Sequence, residues 1–540
     1  MNPRGRWLVL FPLLFLAFLL VAPVVRLLAE GLGSAEVAWW AVWQDDHLRW
    51  RVGWSVAQAG ITCALALLLG LPVAWVLARL EFAGRSLVLR LLMLPFVVPT
   101  LVAAMGVLAL WGPRGWLGEP LAVAGWSLED SPWLLLYGNL FFNLCVVVRA
   151  GVDALEQVGA QRVAAARTLG ATPWRAFWRV EWPAIAPWLA SALCLVFLYC
   201  FAGFGLALIL GGQRYATVEV EIYTLVAHEL ALAEAAVLAV WMLLLTGGLA
   251  LAYAAIEKRL AAPGRVVPVA RQRPQGRGQW LAVVGAMLVL ALVCAAPLLA
   301  IGLRALYALF WGQGAAVLLE PETLTALGNT LRFSGMALLL ATALGVTHAL
   351  AVQALDRMRG GAPLQGAAAL GWRAAAFLPF VVSPVTVAFG LLLLYPGWTA
   401  SLGLLVAAYA LLAYPFVAKS ITAALDALPA SYAQAAATLG APPWRVAWRV
   451  TLPLVAPALR RGMAFAAATA LGEFAVSLFL SRPEWTTLTT LIYQRLGRPG
   501  AANLDAALVL ACLLMLLALV AFAGIEGPAR QQPTHHDRHA

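Results

Sequence analysis

Long apolar runs separated by short polar segments dominate the sequence. Runs of about 20 apolar residues recur along the whole chain, and one such run crosses the hydrocarbon core of a bilayer as a single helix. The pattern predicts twelve membrane-spanning helices, at residues 7–28, 54–79, 88–111, 132–149, 188–210, 234–256, 280–303, 329–354, 373–396, 400–420, 460–481 and 505–526. We therefore expect an all-α polytopic membrane protein. The first run is too long for the core of a cleaved signal peptide, so we expect it to be retained.

One polar stretch occurs twice between these runs. Ala164–Pro183 (AAARTLGATPWRAFWRVEWP) returns as Gln434–Pro453 (QAAATLGAPPWRVAWRVTLP), 270 residues later. From Leu169 to Trp188, 12 of 20 positions are identical in the second copy. We call these stretches the first and second islands. A shorter repeat, LPFVVP from Leu94 and LPFVVSP from Leu378, supports a duplication of the whole membrane domain.

The duplication divides the chain into two tandem domains with short additions. We expect a first helix and outer loop at 1–50, a transmembrane domain at 51–256, a linker at 257–279, a helix and outer loop at 280–325, a second transmembrane domain at 326–526 and a tail at 527–540. The linker is basic and rich in proline and glycine, which predicts a flexible connection.

Charge and composition narrow the class further. The chain is 63% apolar and 11% charged, which excludes an ordinary soluble or disordered protein. The net charge of +11 could indicate a nucleic-acid partner. However, the Arg and Lys residues lie mostly in alternate loops, as is typical of membrane topology. The basic loops should be cytoplasmic, which places both termini and both islands inside and leaves no role for nucleic acid.

The cysteine and histidine residues do not predict a metal site. All six cysteines lie inside apolar runs, where they are expected to be small buried residues rather than disulfides or metal ligands. The tail sequence His535-His536-Asp537-Arg538-His539 could bind a metal, but we expect a disordered tail.

Each island has the pattern of two short helices joined at a glycine. Gly170 and Gly440 can end a helix in a left-handed conformation, and Pro173 and Pro443 can open the next one. The aromatic and arginine pairs that follow, Trp174-Arg175 and Trp444-Arg445, are typical of an interface with another protein. The alternative is that these helices lie at the lipid headgroups.

At these residues the chain resembles the permease subunit of binding-protein-dependent ABC importers. The family's loop reads Glu-Ala-Ala, three residues, Gly, nine residues, Ile-x-Leu-Pro. Nine residues also follow Gly170 and Gly440 here, before Val-Glu-Trp-Pro and Val-Thr-Leu-Pro, while Ala164 and Gln434 replace the family's Glu. The resemblance implies a MetI-like type I fold in which each island is a coupling helix that docks on a cytoplasmic ATPase. The implied docking residues are Ala165, Ala166, Gly170, Pro173, Trp174, Arg175, Pro183, Ala435, Ala436, Gly440, Pro443, Trp444, Arg445 and Pro453.

The ATPase itself should be a separate subunit. The chain has two lysines, Lys258 and Lys419, and neither completes the phosphate-binding motif Gly-x-x-x-x-Gly-Lys-Ser/Thr. The resemblance therefore implies a non-enzymatic permease of the bacterial inner membrane that binds no cofactor. Its implied partners are two copies of an ATPase carrying ATP-Mg, a periplasmic substrate-binding protein and membrane lipid.

Further stretches resemble the fused permease of thiamine importers, among them Val42–Asp45, Phe141–Leu144, Val218–Tyr223 and Leu471–Phe474. Fused ferric-iron permeases share the layout, so ferric iron or another small solute is the alternative substrate. Thiamine is an aromatic cation, and a carboxylate beside an aromatic ring would suit its passage. The expected path residues are Glu473, Phe474, Asn139, Asn143 and four helix-kinking prolines, Pro95, Pro99, Pro379 and Pro384.

Structural explanations of the same path residues stay open. Glu473 could pair with a basic group or a backbone donor, and Asn139 and Asn143 could join helices to each other. A different class, an ion-coupled secondary transporter, would rely on Glu473 and His348. A membrane-embedded enzyme is disfavoured, because no cluster of catalytic residues is evident.

Overall fold

The computed structural model describes residues 3–33, 37–126, 128, 131–259, 267–312, 314–357, 371–399, 401–480 and 482–527. The tail from 528 and linker residues 260–266 lie outside this description, as do the side chains of residues 3–7, 257–259, 357, 443 and 444. The main helices are α1 Leu8–Gly33, α2 Asp46–Arg79, α3 Thr100–Trp111, α4 Trp133–Glu156, α5 Pro173–Phe201, α6 Leu232–Ile256, α7 Arg277–Phe310, α8 Pro321–Asp356, α9 Pro384–Leu394, α10 Leu402–Ala427, α11 Leu452–Leu471 and α12 Ala501–Glu526.

The protein is an all-α polytopic membrane protein, as the apolar runs predict. Within the described ranges, nine helices are long and apolar enough to cross a bilayer, and the bent pair ending in α3 makes ten. Helices satisfy every backbone hydrogen bond internally, which is why apolar runs of this length fold as helices in lipid. Each of the twelve predicted runs overlaps one of the labelled helices.

Two predicted spans are broken at their repeated proline motifs. The run 88–111 consists of Arg85–Val97 and α3, which meet at an angle of 106°. The run 373–396 is broken at the same place, between a short helix Leu378–Val381 and α9. Pro99 and Pro384 lack the N–H that would continue the preceding helix, so the chain turns there instead of crossing straight.

Two other predicted spans differ from the observed helices, which both begin and end earlier in the sequence than predicted. The predictions 188–210 and 460–481 are wrong at both ends. The helix α5 runs from Pro173 to Phe201, and α11 runs from Leu452 to Leu471. Short helices, Gly205–Leu210 and Ala475–Leu480, follow after a turn. The turn residues are largely apolar or glycine, so hydrophobicity alone did not reveal the breaks.

The leading helix of each half packs on the opposite half. Phe18 of α1 stacks on Tyr395 beyond α9, with ring centroids 4.5 Å apart, and its carbonyl accepts a hydrogen bond from the Tyr395 hydroxyl at 3.0 Å. In return α7 packs on α3 and α4, where Cys294 Sγ lies 3.5 Å from Cys145 Sγ. The two halves are therefore interleaved.

The described part of the linker differs from the expected flexible connection. Gln272 forms a parallel bridge with Leu80 at the end of α2, and Pro268 forms an antiparallel bridge with Gly159 after α4. Residues 267–273 thus lie against the first half as an extended segment, which we call the strap. Composition predicted its turns, but the bonds that fix it are long-range in sequence.

Candidate functional site

A cavity of about 520 Å³ lies between the two halves. Six of the eight predicted path residues line it, namely Pro99, Asn139, Asn143, Pro384, Glu473 and Phe474. Pro95 and Pro379 are not among its lining residues and lie in the short helices that precede the two proline breaks. The breaks therefore bring the ends of α3 and α9 to the cavity, while their first prolines stay outside it.

Glu473 occupies the turn after α11, rather than the interior of a span. Its carboxylate Oε1 accepts a hydrogen bond from the Val476 N–H at 3.0 Å, which caps the short helix that follows. Its backbone carbonyl accepts hydrogen bonds from the hydroxyls of Ser477 and Thr489, both at 3.1 Å. A backbone donor thus partners this carboxylate, as one of the structural explanations predicts, and Glu473 is also a lining residue of the cavity.

The equivalent turn after α5 carries no charge. Gly203 stands 270 residues before Glu473 and lines the same cavity. Phe204 and Phe474, the next residues in each turn, stack across the boundary between the halves with ring centroids 5.9 Å apart and planes at 27°. Both halves therefore contribute an aromatic ring to the cavity at equivalent positions, but only the second half contributes a carboxylate there.

Two asparagines of α4 line the cavity. Asn139 Nδ2 donates to Gln58 Oε1 on α2 at 2.7 Å, and Asn143 Nδ2 donates to the Asn139 carbonyl at 2.8 Å. The first bond joins α4 to α2, as the interhelix alternative predicts. The second lies within α4, and Asn143 Nδ2 also lies 3.2 Å from Cys200 Sγ on α5. These bonds use the amide N–H groups and leave the amide oxygens as acceptors. Of the described residues that line the cavity, Glu473 is the one with a formal charge, and Lys, Arg and His are absent.

A larger groove of about 1010 Å³ lies at the N-terminal end of α2, where His47, Trp50 and Arg51 line it. Its buried charges are already partnered: Arg51 Nε donates to Glu221 Oε2 at 2.9 Å and Arg51 Nη1 donates to the Gln213 carbonyl at 2.8 Å. These bonds hold the loop before Val218 on α2. We regard this groove as structural and the central cavity as the candidate path.

Both islands have the helix–glycine–helix form that their sequences predict. Gly170 has φ +83° and Gly440 has φ +80°, in the left-handed region. In the first island the Ala171 N–H donates to the Ala166 carbonyl at 3.0 Å, and in the second the Ala441 N–H donates to the Ala436 carbonyl at 3.1 Å. Bonds of this span are typical of the glycine-terminated helix end known as the Schellman motif.

The second helix of each island continues into the membrane. Pro173 opens a turn that runs through a wide turn at Phe177–Glu181 into the rest of α5 without a break. Pro443–Val446 and Ala447–Thr451 lead into α11 in the same way. Pro183 and Pro453 lie just after these wide turns. An island and the helix that reaches the cavity are therefore one element in each half.

The islands expose large apolar side chains. Leu169 and Leu439, immediately before the two glycines, are each 88% exposed, and Trp174 is 70% exposed. Ala165, Arg175 and Arg445 also lie on the surface, whereas Trp444 has no described side chain. The two leucines are not among the docking residues implied by the sequence, although both copies of the repeat carry them. Exposed apolar groups paired in this way are typical of a protein interface.

A buried ion pair fixes the base of the first island. Arg79 Nη2 at the end of α2 lies 2.6 Å from Glu181 Oε2 in the wide turn, and both side chains are 9% exposed. The second island has Thr451 at the equivalent position. The two islands thus share a backbone form but differ in how they are anchored.

His348, the other titratable group considered for an ion-coupled carrier, is packed as a core residue. Its ring stacks on Trp372 at 4.7 Å, and its Nε2 lies 3.0 Å from the Trp372 carbonyl oxygen. It is not among the residues that line the cavity.

Comparison with known proteins identifies the family. The model of the family described as binding-protein-dependent transport system inner membrane component matches residues 66–262 and 367–525. Each match contains one island and one side of the cavity. The chain belongs to this family. It is a multi-pass permease of the ABC importer type, with two tandem copies of the family's domain.

Several curated permeases align with nearly the whole chain. The thiamine transport system permease protein ThiP of Escherichia coli (strain K12) is 29% identical over 527 residues, which cover 94% of this chain and 95% of that protein. The ThiP protein of Haemophilus influenzae is 27% identical over 504 residues, 91% of each chain. The sulfate transport system permease protein CysW of Synechocystis is 31% identical over 209 residues, which cover 38% of this permease and 75% of CysW.

Proposed function

We propose that this permease imports thiamine, powered by ATP hydrolysis on a separate ATPase subunit. The observation that carries the proposal is the central cavity, which combines one carboxylate, the stacked rings of Phe204 and Phe474 and the amide oxygens of Asn139 and Asn143. Thiamine is an aromatic cation in which an aminopyrimidine ring is joined through a methylene to a thiazolium ring, and it carries amine and hydroxyl donors. Aromatic faces and carboxylates attract such cations, and amide oxygens accept their hydrogen bonds.

The same lining disfavours the other substrates. Sulfate is a dianion and would meet Glu473 with no cationic side chain among the described lining residues. Ferric iron prefers several hard oxygen ligands held together, and the described lining offers one carboxylate. The ThiP proteins of Escherichia coli and Haemophilus influenzae also align over nearly the full length, whereas CysW aligns over 209 residues.

The islands suit a coupling role. Six of the spans predicted from the sequence, 188–210 to 400–420, separate the first island from the second, which would place both on one side. The excess of Arg and Lys in the loops of that side would make it cytoplasmic. Two copies of an ATPase would each bury one leucine tip, Leu169 or Leu439, with Trp174 beside the first. A periplasmic binding protein would deliver thiamine to the other side.

The continuous helices indicate how force reaches the cavity. ATP-driven closure of the two ATPases would draw the islands together. Because α5 and α11 run from the islands to the turns at Gly203 and Glu473, this movement changes the contact between Phe204 and Phe474. The halves would then rock between inward-facing and outward-facing states.

Reconstitution tests this function. The permease, the candidate ATPase and the candidate binding protein are placed in proteoliposomes, and uptake of radiolabelled thiamine is measured with and without ATP. We expect uptake that needs all three proteins and ATP. Uptake without the ATPase would overturn the coupling, and binding-protein-stimulated ATPase activity with ferric iron but not with thiamine would overturn the substrate.

A further inference from the structure

The strap, residues 267–273, touches the first half at two places that matter for the first island. At one end the Val267 carbonyl accepts a hydrogen bond from the Ala160 N–H at 3.0 Å, and Ala160 is the first residue of the island's helix. At the other end the Gln272 N–H donates to the Arg79 carbonyl at 3.0 Å, and the Gln272 carbonyl accepts from the Glu81 N–H at 2.9 Å. The strap therefore ties the start of the island to the end of α2.

An arginine of the strap also forms ion pairs with the first half. Arg271 Nε lies 3.2 Å from Glu81 Oε2, and its Nη1 lies 3.8 Å from Glu156 Oε1 at the end of α4. These side chains are 41–52% exposed, and exposed ion pairs contribute little to stability. The backbone bonds are thus the main attachment, and Arg271 adds alignment.

The residues that precede the first helix of each island share one backbone conformation, but different interactions fix it in the two halves. Gly159, before the first helix, has φ −64° and ψ 129°, and Pro429, before the second, has φ −60° and ψ 131°. The ring of Pro429 fixes φ near this value without help. Gly159 is the most permissive residue and has no such restraint. In the first half, the bridge between Gly159 and Pro268 of the strap supplies the restraint.

The second half also provides its own version of the charged link. Arg373 lies 2.5 Å from Asp356 at the end of α8 and 2.6 Å from Asp426 in α10. Asp426 is equivalent to Glu156 at the 270-residue offset. In the first half Arg85 Nη2 lies 3.4 Å from Glu156 Oε1, and Nη1 of the linker's Arg271 lies 3.8 Å from the same oxygen. Each half therefore has an ion pair of its own at this acid, and the first half adds the strap, a segment that precedes α7.

We propose that the strap is a positioning element for the first coupling loop, acting on the loop's ATPase contact through Gly159 and Ala160. It rests on the coupling role proposed above. The strap holds the first island at the angle that Pro429 gives the second island, so that both ATPases meet equivalent surfaces. Releasing the strap should weaken ATPase docking at the first island and leave the second unchanged.

The experiment uses one variant to release the strap and a neighbouring one as its control. Gln272→Pro removes the N–H that bonds to Arg79. Arg273→Pro removes an N–H that makes no hydrogen bond to the described residues. Each is combined with Leu169→Cys or Leu439→Cys in a background without the native cysteines. A benzophenone maleimide on the new cysteine then measures photo-cross-linking to the ATPase in the assembled complex.

We expect Gln272→Pro to lower cross-linking from position 169 roughly threefold or more relative to position 439, and Arg273→Pro to leave the ratio unchanged. Adding Gly159→Pro should restore the ratio and thiamine uptake, because a proline at 159 supplies the restraint found at 429. A ratio of cross-linking at 169 to cross-linking at 439 that Gln272→Pro leaves unchanged would overturn the proposal. So would a lowered ratio that Gly159→Pro does not restore.

A second measurement separates this proposal from the coupling role itself. If neither position cross-links with an intact strap, the ATPase docking is wrong, and the strap is then judged on the permease alone. Amide hydrogen exchange should rise in Ala160–Thr168, and not in Ala430–Thr438, when Gln272→Pro is introduced. Unchanged exchange in the first island would reject the strap as its restraint.

Discussion

Glu473 shows how one residue combines a structural and a functional role. Its carboxylate caps a short helix and the residue lines the central cavity, while Gly203 leaves the equivalent position without a charge. The sequence predicted Glu473 as a path residue because an acid inside an apolar run is rare. It could not predict the cap, since the run gave no sign that the helix breaks at Gly472.

Glu473→Gln tests the charge while keeping the cap. The glutamine carbonyl can still accept the hydrogen bond from the Val476 N–H, so the short helix should remain. We expect thiamine uptake at low substrate concentration to fall roughly tenfold, which corresponds to about 1.4 kcal/mol of lost interaction with a cation. Uptake per reconstituted permease is the measurement.

Glu484→Gln is the matched control, because Glu484 lies on an exposed turn outside the cavity. Both variants should insert and purify alike. Thiamine uptake by Glu473→Gln equal to that of the control would show that the carboxylate has no role beyond the cap.

At the scale of elements, the sequence predicted where apolar helices lie and misjudged where they break. The breaks at Pro99 and Pro384 follow from a residue property that is local. The turns after Phe201 and Leu471 depend on packing between the halves, as the Phe204–Phe474 contact shows. The strap is a third case: its composition reads as a flexible linker, and its order comes from partners at positions 80 and 159.

The interleaved helices predict a cross-link between the halves. Cys145 of α4 and Cys294 of α7 have their sulfurs 3.5 Å apart, and all six cysteines are free. Oxidation with copper phenanthroline should form a disulfide between them. With a protease site inserted at residues 260–266, the cleaved halves should stay joined on a non-reducing gel and separate after reduction. Joining that persists in Cys294→Ser would show that another pair is responsible.

At the scale of the whole molecule, the halves meet through a buried polar contact. Ser383 Oγ donates to Glu219 Oε2 at 2.7 Å, and the Thr386 N–H donates to Ser383 Oγ at 3.0 Å. Ser383 is the one residue that the second proline motif, LPFVVSP, has beyond the first. The repeat alone marks the insertion, but its partner comes from the opposite half and could not be predicted.

Ser383→Ala should destabilise the permease. Glu219 is fully buried, and its Oε1 already has no partner among the described residues, so the variant leaves the whole carboxyl group unpaired. A loss of about 1–3 kcal/mol is expected for such a group, seen as a lower melting temperature in detergent. Ser401→Ala, at an exposed helix start, is the control.

Replacing both partners should be milder. In Glu219→Met with Ser383→Ala no polar group is left unpaired, so part of the lost melting temperature should return. A double variant less stable than Ser383→Ala would argue that the contact does not act as a pair.

Because α1 packs on the second half and α7 on the first, the order of synthesis separates each helix from its partners in time. The residues of α1 are synthesised roughly 300 residues before those of α8 and α9, which corresponds to about 15–60 s at ordinary rates of synthesis. During that time α1 sits in the bilayer with its contact face, including Phe18, turned to lipid or to the insertion machinery. A ribosome that stalls after α6 would therefore leave a first domain that lacks α7 and whose α1 packs on α6 but lacks its partners α8 and α9. Such a product exposes the surface that α7 would cover and the face of α1 that the second half would cover. These exposed surfaces give membrane proteases a way to distinguish an aborted chain from a finished one.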